Sequence, residues 1–326
     1  MNLKIPAELT AFLRSFPVYY CISHEDPDGD CIASSLALAS FLRRMGKEVE
    51  LFSPGPFTRP EIADFEHYFK DNLPKRTKPH ETGVVILDCS TLDRIGTFGA
   101  QIQTFKRAVI DHHSGGRPFG DIQFIHPEVP SVTYLIQLII ERMAPPVTEE
   151  EARLLLLGLC TDTGFFRHLD SGTGDVLSSA GRLTEYGASL KDTYNEIYGR
   201  RKLSSRILLG RVLSRTVTAK NGKILFTHET SADREELGEG IRDSDTLYSL
   251  LLGVEGAEIL VYAREEQENL ISVGLRSRKI DISGIALSFG GGGHPNASGF
   301  TYKGTIRDLQ ETLLGPLHRI LEAGYL

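Results

Sequence analysis

Tryptophan is absent from this chain of 326 residues, methionine occurs three times and cysteine four times. Cys21, Cys31, Cys89 and Cys160 form no CxxC pair, which excludes a zinc ribbon and a dithiol redox motif. Unpatterned thiols read as free, buried groups in a reducing compartment, so a cytoplasmic setting is expected. Long apolar runs are missing too. The richest stretches, 135–140 and 154–159, fall far short of the ~20 residues a membrane span needs. Residues 18–22 are apolar but too few for a secretory signal, and charge follows at once. Positive charge is in deficit: 36 Lys and Arg against 43 Asp and Glu give a net charge of −7. That excludes a long nucleic-acid track, but not a short anion held by a local basic patch. Repeats and low-complexity tracts are absent.

What is present alternates. Residues 18–23 (VYYCIS), 49–52, 84–87 (VVIL) and 108–110 read as buried strands. Residues 32–45 read as a helix stopped by Gly46, and 61–69 as a further helical segment. Ser131 caps a helix through Met143, and Thr148 caps another through Leu159. The pattern is α/β: a mainly parallel N-terminal sheet with helices on both faces, and a smaller C-terminal α/β domain. The expected boundaries are a first domain over 1–190, a helical basic linker over 191–216, and a second domain over 217–326. In the second, Asn221-Gly222 signals a hairpin, and 258–264 with 270–276 read as a strand pair. The stretch 199–215 carries six basic residues and no acid. It reads either as a solvated helix face or as a basic wall for an anion.

Acids collect where the strands end. HEDPDGD (24–30) puts four carboxylates and one imidazole into seven residues directly after the first strand. Its proline and glycine exclude a helix or strand interior, and like charges this close need a screening cation. Asp88 ends the VVIL strand, and DHH (111–113) ends the next. In open α/β sheets that edge is where ligands bind. His24, Asp28, Asp30, Asp88, His112 and Asp162 together are six oxygen and nitrogen ligands that need no thiolate. Such a set suits two divalent cations, manganese before magnesium because of the two imidazoles. Paired ions of this kind serve in-line phosphoryl transfer.

HEDPDGD, VVILD, DHH and GLCTDTG (158–164) resemble, in order, the four motifs of the DHH phosphoesterases. GGGGHPNASGF (290–300) resembles the glycine-rich motif of the domain that accompanies them in nanoRNases and RecJ-type nucleases. The resemblance spans nearly the whole chain. It implies that His24 and Asp28 hold one ion, that Asp30, His112 and Asp162 hold the other, and that Asp88 bridges them. It implies catalytic roles for His113, a donor to the scissile phosphate, and for Asp111, which orients the histidines. Asp26 stands where many relatives carry asparagine; with Glu25 it is expected to face solvent or the site's surroundings.

Glycines let backbone amides approach a phosphate. With Arg276, Ser277 and Arg278 upstream, Gly291, Gly292, Gly293 and His294 are the expected substrate-binding wall. The function implied is hydrolysis of very short oligoribonucleotides to nucleoside monophosphates, with dephosphorylation of adenosine 3′,5′-bisphosphate. Hydrolysis of cyclic di-AMP or pApA is the alternative. A binding protein without catalysis would be expected to show a broken ligand set, and this set is complete. The expected partners are a short RNA or nucleotide, with no membrane and with room for a homodimer.

Overall fold

The computed structural model describes residues 3–89, 91–113, 115, 119–143, 146–238 and 242–323. The chain divides into two compact units, Met1–Arg200 and Arg201–Leu326. The first contains α1 (Ala7–Ser15), β1 (Val18–Ile22), α2 (Gly29–Arg44), β2 (Glu48–Phe52), β3 (Phe69–Lys70), β4 (Thr82–Leu87), α3 (Phe98–Gln101), β5 (Lys106–Asp111), β6 (Ile122–Ile125), α4 (Val132–Met143), α5 (Glu149–Asp162), α6 (Gly174–Glu185) and α7 (Leu190–Tyr198).

Among the described residues, six strands run parallel in the order β3-β2-β1-β4-β5-β6. The chain order reverses between β1 and β4, which opens a crevice at their carboxyl ends. Alternation along the strands divides the core in two. Tyr19, Cys21, Val85, Leu87, Ala108 and Ile110 pack with Leu38, Leu135 and Leu155 of α2, α4 and α5. Tyr20, Ile22, Val84, Ile86 and Val109 pack instead with Ile95, Phe98 and Ile102. Both faces are covered, one by long helices and the other by short turns.

The helices start where their caps dictate. Thr148 and Glu151 form a reciprocal capping box on α5. Ser131 Oγ accepts the Tyr134 N–H at 3.1 Å. The helix expected from residue 32 begins at Gly29, because Asp28 is its N-cap and accepts the Cys31 N–H at 3.0 Å. Asp30 therefore lies in the first helical turn rather than in a loop. The helical segment expected over 61–69 is a 3-10 helix, Ala63–Tyr68.

The second unit contains α8 (Leu203–Ser214), β7 (Val217–Ala219), β8 (Ile224–Glu229), α9 (Ser231–Leu237), α10 (Ser244–Leu252), β9 (Ile259–Gln267), β10 (Leu270–Ser277), α11 (Ser283–Ser288), β11 (Gly292–His294), β12 (Ala297–Lys303) and α12 (Ile306–Ala323). Its sheet order is β11-β12-β10-β9-β8-β7, antiparallel except for the parallel pair β8 and β9. The Asn221-Gly222 turn joins β7 to β8 with φ of 54° and 84°.

The division at 200/201 falls inside the stretch 191–216 expected as a linker. α7 places Ile197 in the core of the first unit, while α8 places Leu208 and Val212 against Leu225 and Leu260 of the second. The basic residues of 199–215 are largely paired with acids, which is neither of the two readings above. Arg200 meets Asp64, Arg201 and Arg206 meet Asp243, and Arg211 and Arg215 meet Asp233. Among the described residues no helix is long and apolar enough to cross a membrane.

Candidate active site

The crevice between β1 and β4 is lined by the residues that follow those strands. His24 and Asp88 are 2% and 1% exposed. Asp88 has φ of 57°, a left-handed conformation that is uncommon outside glycine and often marks functional sites. Three imidazoles converge on it. His24 Nε2 lies 3.6 Å from its Oδ2, His112 Nε2 lies 3.4 Å from its Oδ1, and His113 Nδ1 lies 3.5 Å from Oδ1. His112 Nε2 also lies 3.1 Å from Asp162 Oδ2, at the end of α5.

The other ring nitrogens are already occupied. His24 Nδ1 faces Glu25 O at 2.7 Å and His112 Nδ1 faces Val129 O at 3.3 Å, so each Nδ1 carries the proton and donates. That tautomer turns a lone pair on each Nε2 toward a carboxylate, which is repulsive unless a proton or a cation lies between. Asp111 Oδ1 accepts from the His113 ring at 2.8 Å and from the backbone N–H groups of His112 and His113. Asp111 thus orients the His113 ring alone; the expected hold on both rings is corrected, since a backbone carbonyl orients His112.

Asp30 is fully buried and takes N–H bonds from Val132 and Thr133 and an O–H bond from Thr133, all at the N-terminus of α4. A Cβ at Gly158 would lie 2.4 Å from Thr133 Cγ2 and 2.9 Å from Asp30 Oδ1. Glycine at 158 therefore permits the close approach of α5. Asp28 stands at the N-cap of α2, and its charge reaches both His24 and Asp162. Glu25 and Asp26 are exposed, and Asp26 accepts the Thr58 hydroxyl at 3.2 Å.

Proton affinities show a site short of positive charge. Burial opposes a proton on His112, but contacts with Asp162 and Asp88 overcome it and push the pKa up to about 11. Burial opposes ionisation of Asp88, yet His112 and His24 hold it below the usual carboxylate range. Burial, with the charges of Asp28 and Asp88, lifts Asp162 to about 6 despite His112. Burial and then the Asp162 and Asp88 charges raise Asp30 as well. Asp88 Oδ1 and Asp111 Oδ2 are buried and have no hydrogen-bond partner among the described residues. Among the described residues three groups of side chains could hold an ion: His24, Cys31 and Asp88; Asp88, His112 and His113; and Asp30, His112 and Asp162. Asp88 belongs to two of them. The donor set, the orphaned oxygen and the inward lone pairs all fit divalent cations.

Residues 19–159 match the model of the DHH family N-terminal domain, and 229–315 that of the DHHA1 domain. Over 328 residues the chain is 32% identical to the bifunctional oligoribonuclease and PAP phosphatase NrnA of Thermus thermophilus, covering 100% of this chain and 96% of that one. This chain belongs to the DHH phosphoesterase family. Its identity to the Bacillus subtilis protein of the same name is 28%, over 89% of this chain and 92% of that one. A crystal structure of an exopolyphosphatase-related protein from Bacteroides fragilis superposes with a TM-score of 0.77 at 25% identity, covering 97% and 95% of the two chains.

In the DHHA1 unit, a cavity of about 720 Å³ is lined by Arg276, Gly291 and Gly292 from the expected substrate wall and by Tyr248, Arg264 and Phe289, which that expectation did not include. The Arg276 guanidinium stands 4.2 Å from the Tyr248 ring centroid. Arg264 donates to Ser272 Oγ at 2.6 Å, and its buried Nε lies 3.8 Å from Glu266 Oε1, beyond hydrogen-bond range. The glycine run is a close hairpin rather than a loose loop: a Cβ at Gly291 would lie 2.1 Å from Gly299 O, and one at Gly293, with φ of 136°, 2.6 Å from Ala297 O. Ser277, Arg278, Gly293 and His294, expected in the substrate wall, do not line this cavity. Ser277 donates to Ile280 O and Arg278 to Leu252 O at the end of α10, so both serve the fold. His294 is exposed on β11. All four cysteines are free and buried. Burial, with the charges of Asp88 and Asp28, raises the Cys31 thiol well above its usual range, which keeps it protonated beside the DHH site.

Proposed function

We propose that this chain hydrolyses very short oligoribonucleotides to nucleoside monophosphates and dephosphorylates adenosine 3′,5′-bisphosphate, with two divalent cations, manganese before magnesium. The observation that carries this is buried Asp88, in contact with three imidazoles and shared by two of the candidate ion-binding groups. The names of the relatives in Thermus thermophilus and Bacillus subtilis supply the substrate class.

In this reading His24 and Asp28 hold one cation, Asp30, His112 and Asp162 hold the other, and Asp88 serves both. Bound there, the cations supply Lewis-acid chemistry, activating water and stabilising charge in in-line phosphoryl transfer. The remaining work falls to the chain. The Val129 carbonyl fixes the His112 tautomer and the Glu25 carbonyl fixes that of His24. Asp111 accepts the Nδ1–H of His113, which leaves Nε2 as the free nitrogen of a ring whose side chain is 39% exposed. A proton held at that Nε2 is donated to an oxygen of the scissile phosphate. In the second unit, Arg276 and Arg264 bind the substrate's remaining anionic end, with Tyr248 and Phe289 as apolar faces for a base. The domain roles follow: the first unit cuts and the second holds.

The test is kcat/KM of the manganese-loaded protein on a dinucleotide, adenosine 3′,5′-bisphosphate, linear pApA, cyclic di-AMP and pyrophosphate. The dinucleotide and adenosine bisphosphate are expected to lead. A preference for pyrophosphate or cyclic di-AMP, or no hydrolysis at all, would overturn the reading.

A further inference from the structure

Arg94 lies in the 3-10 turn Leu92–Ile95 that follows β4, and its Nη2 stands 3.1 Å from Nδ1 of His24. That ring nitrogen is already committed to Glu25 O at 2.7 Å, a contact that requires an N–H. A guanidinium nitrogen only donates, so the approach of Arg94 is donor against donor and satisfies neither. Among the described residues no carboxylate pairs with Arg94. Three other arginines of the first unit pair with carboxylates, Arg44 with Glu151, Arg153 with Glu196 and Arg182 with Glu141, and Arg43 donates to the Val49 carbonyl.

The backbone holds this cation in place. The Arg94 carbonyl accepts the Glu25 N–H at 2.7 Å, which ties the turn to the HEDPDGD loop. Ile95 is fully buried. Gly96 ends the turn with φ of 58°, and a Cβ there would lie 3.0 Å from Glu25 Oε1. A permanently charged fork is thus fixed beside the imidazole whose other nitrogen faces Asp88, and among the described residues its donors meet no acceptor. Guanidinium geometry matches phosphate oxygens in pairs.

We propose that Arg94 is a substrate ligand that donates to a non-bridging phosphate oxygen on the His24 side of the site. This rests on the phosphoesterase reading above and adds a cation from the chain itself. It also accounts for an arginine left without a carboxylate at the rim of an acid-rich centre.

The test uses the full chain loaded with manganese, as wild type, Arg94→Gln, Arg94→Lys and Arg94→Ala. Arg94→Gln is expected to lower kcat/KM on a dinucleotide roughly 10²-fold, the range of a lost transition-state donor. Bound manganese and Tm should not move. Arg94→Lys should recover part of the rate, and added guanidinium should partly rescue Arg94→Ala. Unchanged rates would overturn the proposal, as would loss of bound metal without guanidinium rescue, since Arg94 would then be supporting His24. Calorimetric binding of inorganic phosphate to the same proteins reads the contact without turnover. Affinity about tenfold weaker in Arg94→Gln supports it even if wild type hydrolyses none of the substrates, and equal affinity sinks it.

Discussion

The carboxyl edge of the parallel sheet and the cavity on the antiparallel sheet face phosphate chemistry with opposite charge balances. At the first, Asp30, Asp88 and Asp162 crowd the Nε2 atoms of His24 and His112, and the region lacks positive charge. At the second, Arg264 and Arg276 outnumber Asp245 in the lining of a space of about 720 Å³, so positive charge is in local surplus. The difference separates two ways to hold one kind of anion. An acidic, buried edge can meet phosphate only through cations. An arginine-lined cavity meets it directly, as a binding surface with no chemistry of its own. Arg94 is the exception at the acidic edge, a cation set among acids but paired with none of the described ones.

The comparison breaks most sharply at Asp88. Asp88→Ala should lower turnover by roughly 10³-fold or more on every substrate, beyond the loss of a single donor, with Tm of the apoprotein maintained. Normal rates in that variant would remove the shared carboxylate from the account.

A finer cut separates the two adjacent histidines. His112→Ala should lose bound manganese. His113→Ala should keep it and slow the chemical step by roughly 10²–10³-fold, because His113 acts on the phosphate and leans on Asp111. Equal metal loss in both would erase the distinction.

In the second unit, Arg276→Ala should lower kcat/KM on a dinucleotide by roughly 10-fold or more through lost remote binding energy. It should hardly change hydrolysis of bis-p-nitrophenyl phosphate. Equal losses on both substrates would mean that Arg276 supports the fold, not recognition.

The smallest effect on rate is expected at Asp233, which is structural. Arg215 first, with Thr230 and Arg211, holds its carboxyl below the usual range although burial opposes this. The unfolded carboxyl titrates near 3.9, so the stabilisation is complete above that pH and fades as pH falls toward the lower folded value. Asp233→Asn should therefore lower Tm at neutral pH, and its gap to wild type should close below about pH 4. A gap independent of pH would show that packing, not charge, is lost.

Much of the acidic edge was legible in the sequence because its signals are local. HEDPDGD follows one apolar strand and Asp88 and DHH end two others, and α/β connectivity places the ends of such strands together; Asp162, at the end of α5, carries no such signal. The caps at Ser131 and Thr148 were legible for the same reason. Asp28 was harder, because a carboxylate that caps a helix reads the same as one that binds a cation. β3 and β6, with two and four residues, were missed as too short for a periodic pattern. Arg94 and His24 are 70 residues apart and meet only through the order of β1 and β4. The substrate wall was the least legible part. Neighbours in sequence there part company: Arg276 lines the cavity while Arg278 closes the end of α10. The basic run of α8 was consumed by acids such as Asp233 and Asp243, which only the fold brings near.

The most direct test counts manganese per chain, by elemental mass spectrometry after exhaustive dialysis, in wild type and Asp88→Ala. The account predicts two ions per wild-type chain and a clear loss in the variant, because both proposed ions lose the carboxylate assigned to them in common. Wild-type protein that retains no manganese, or a variant that retains as much as wild type, would contradict it.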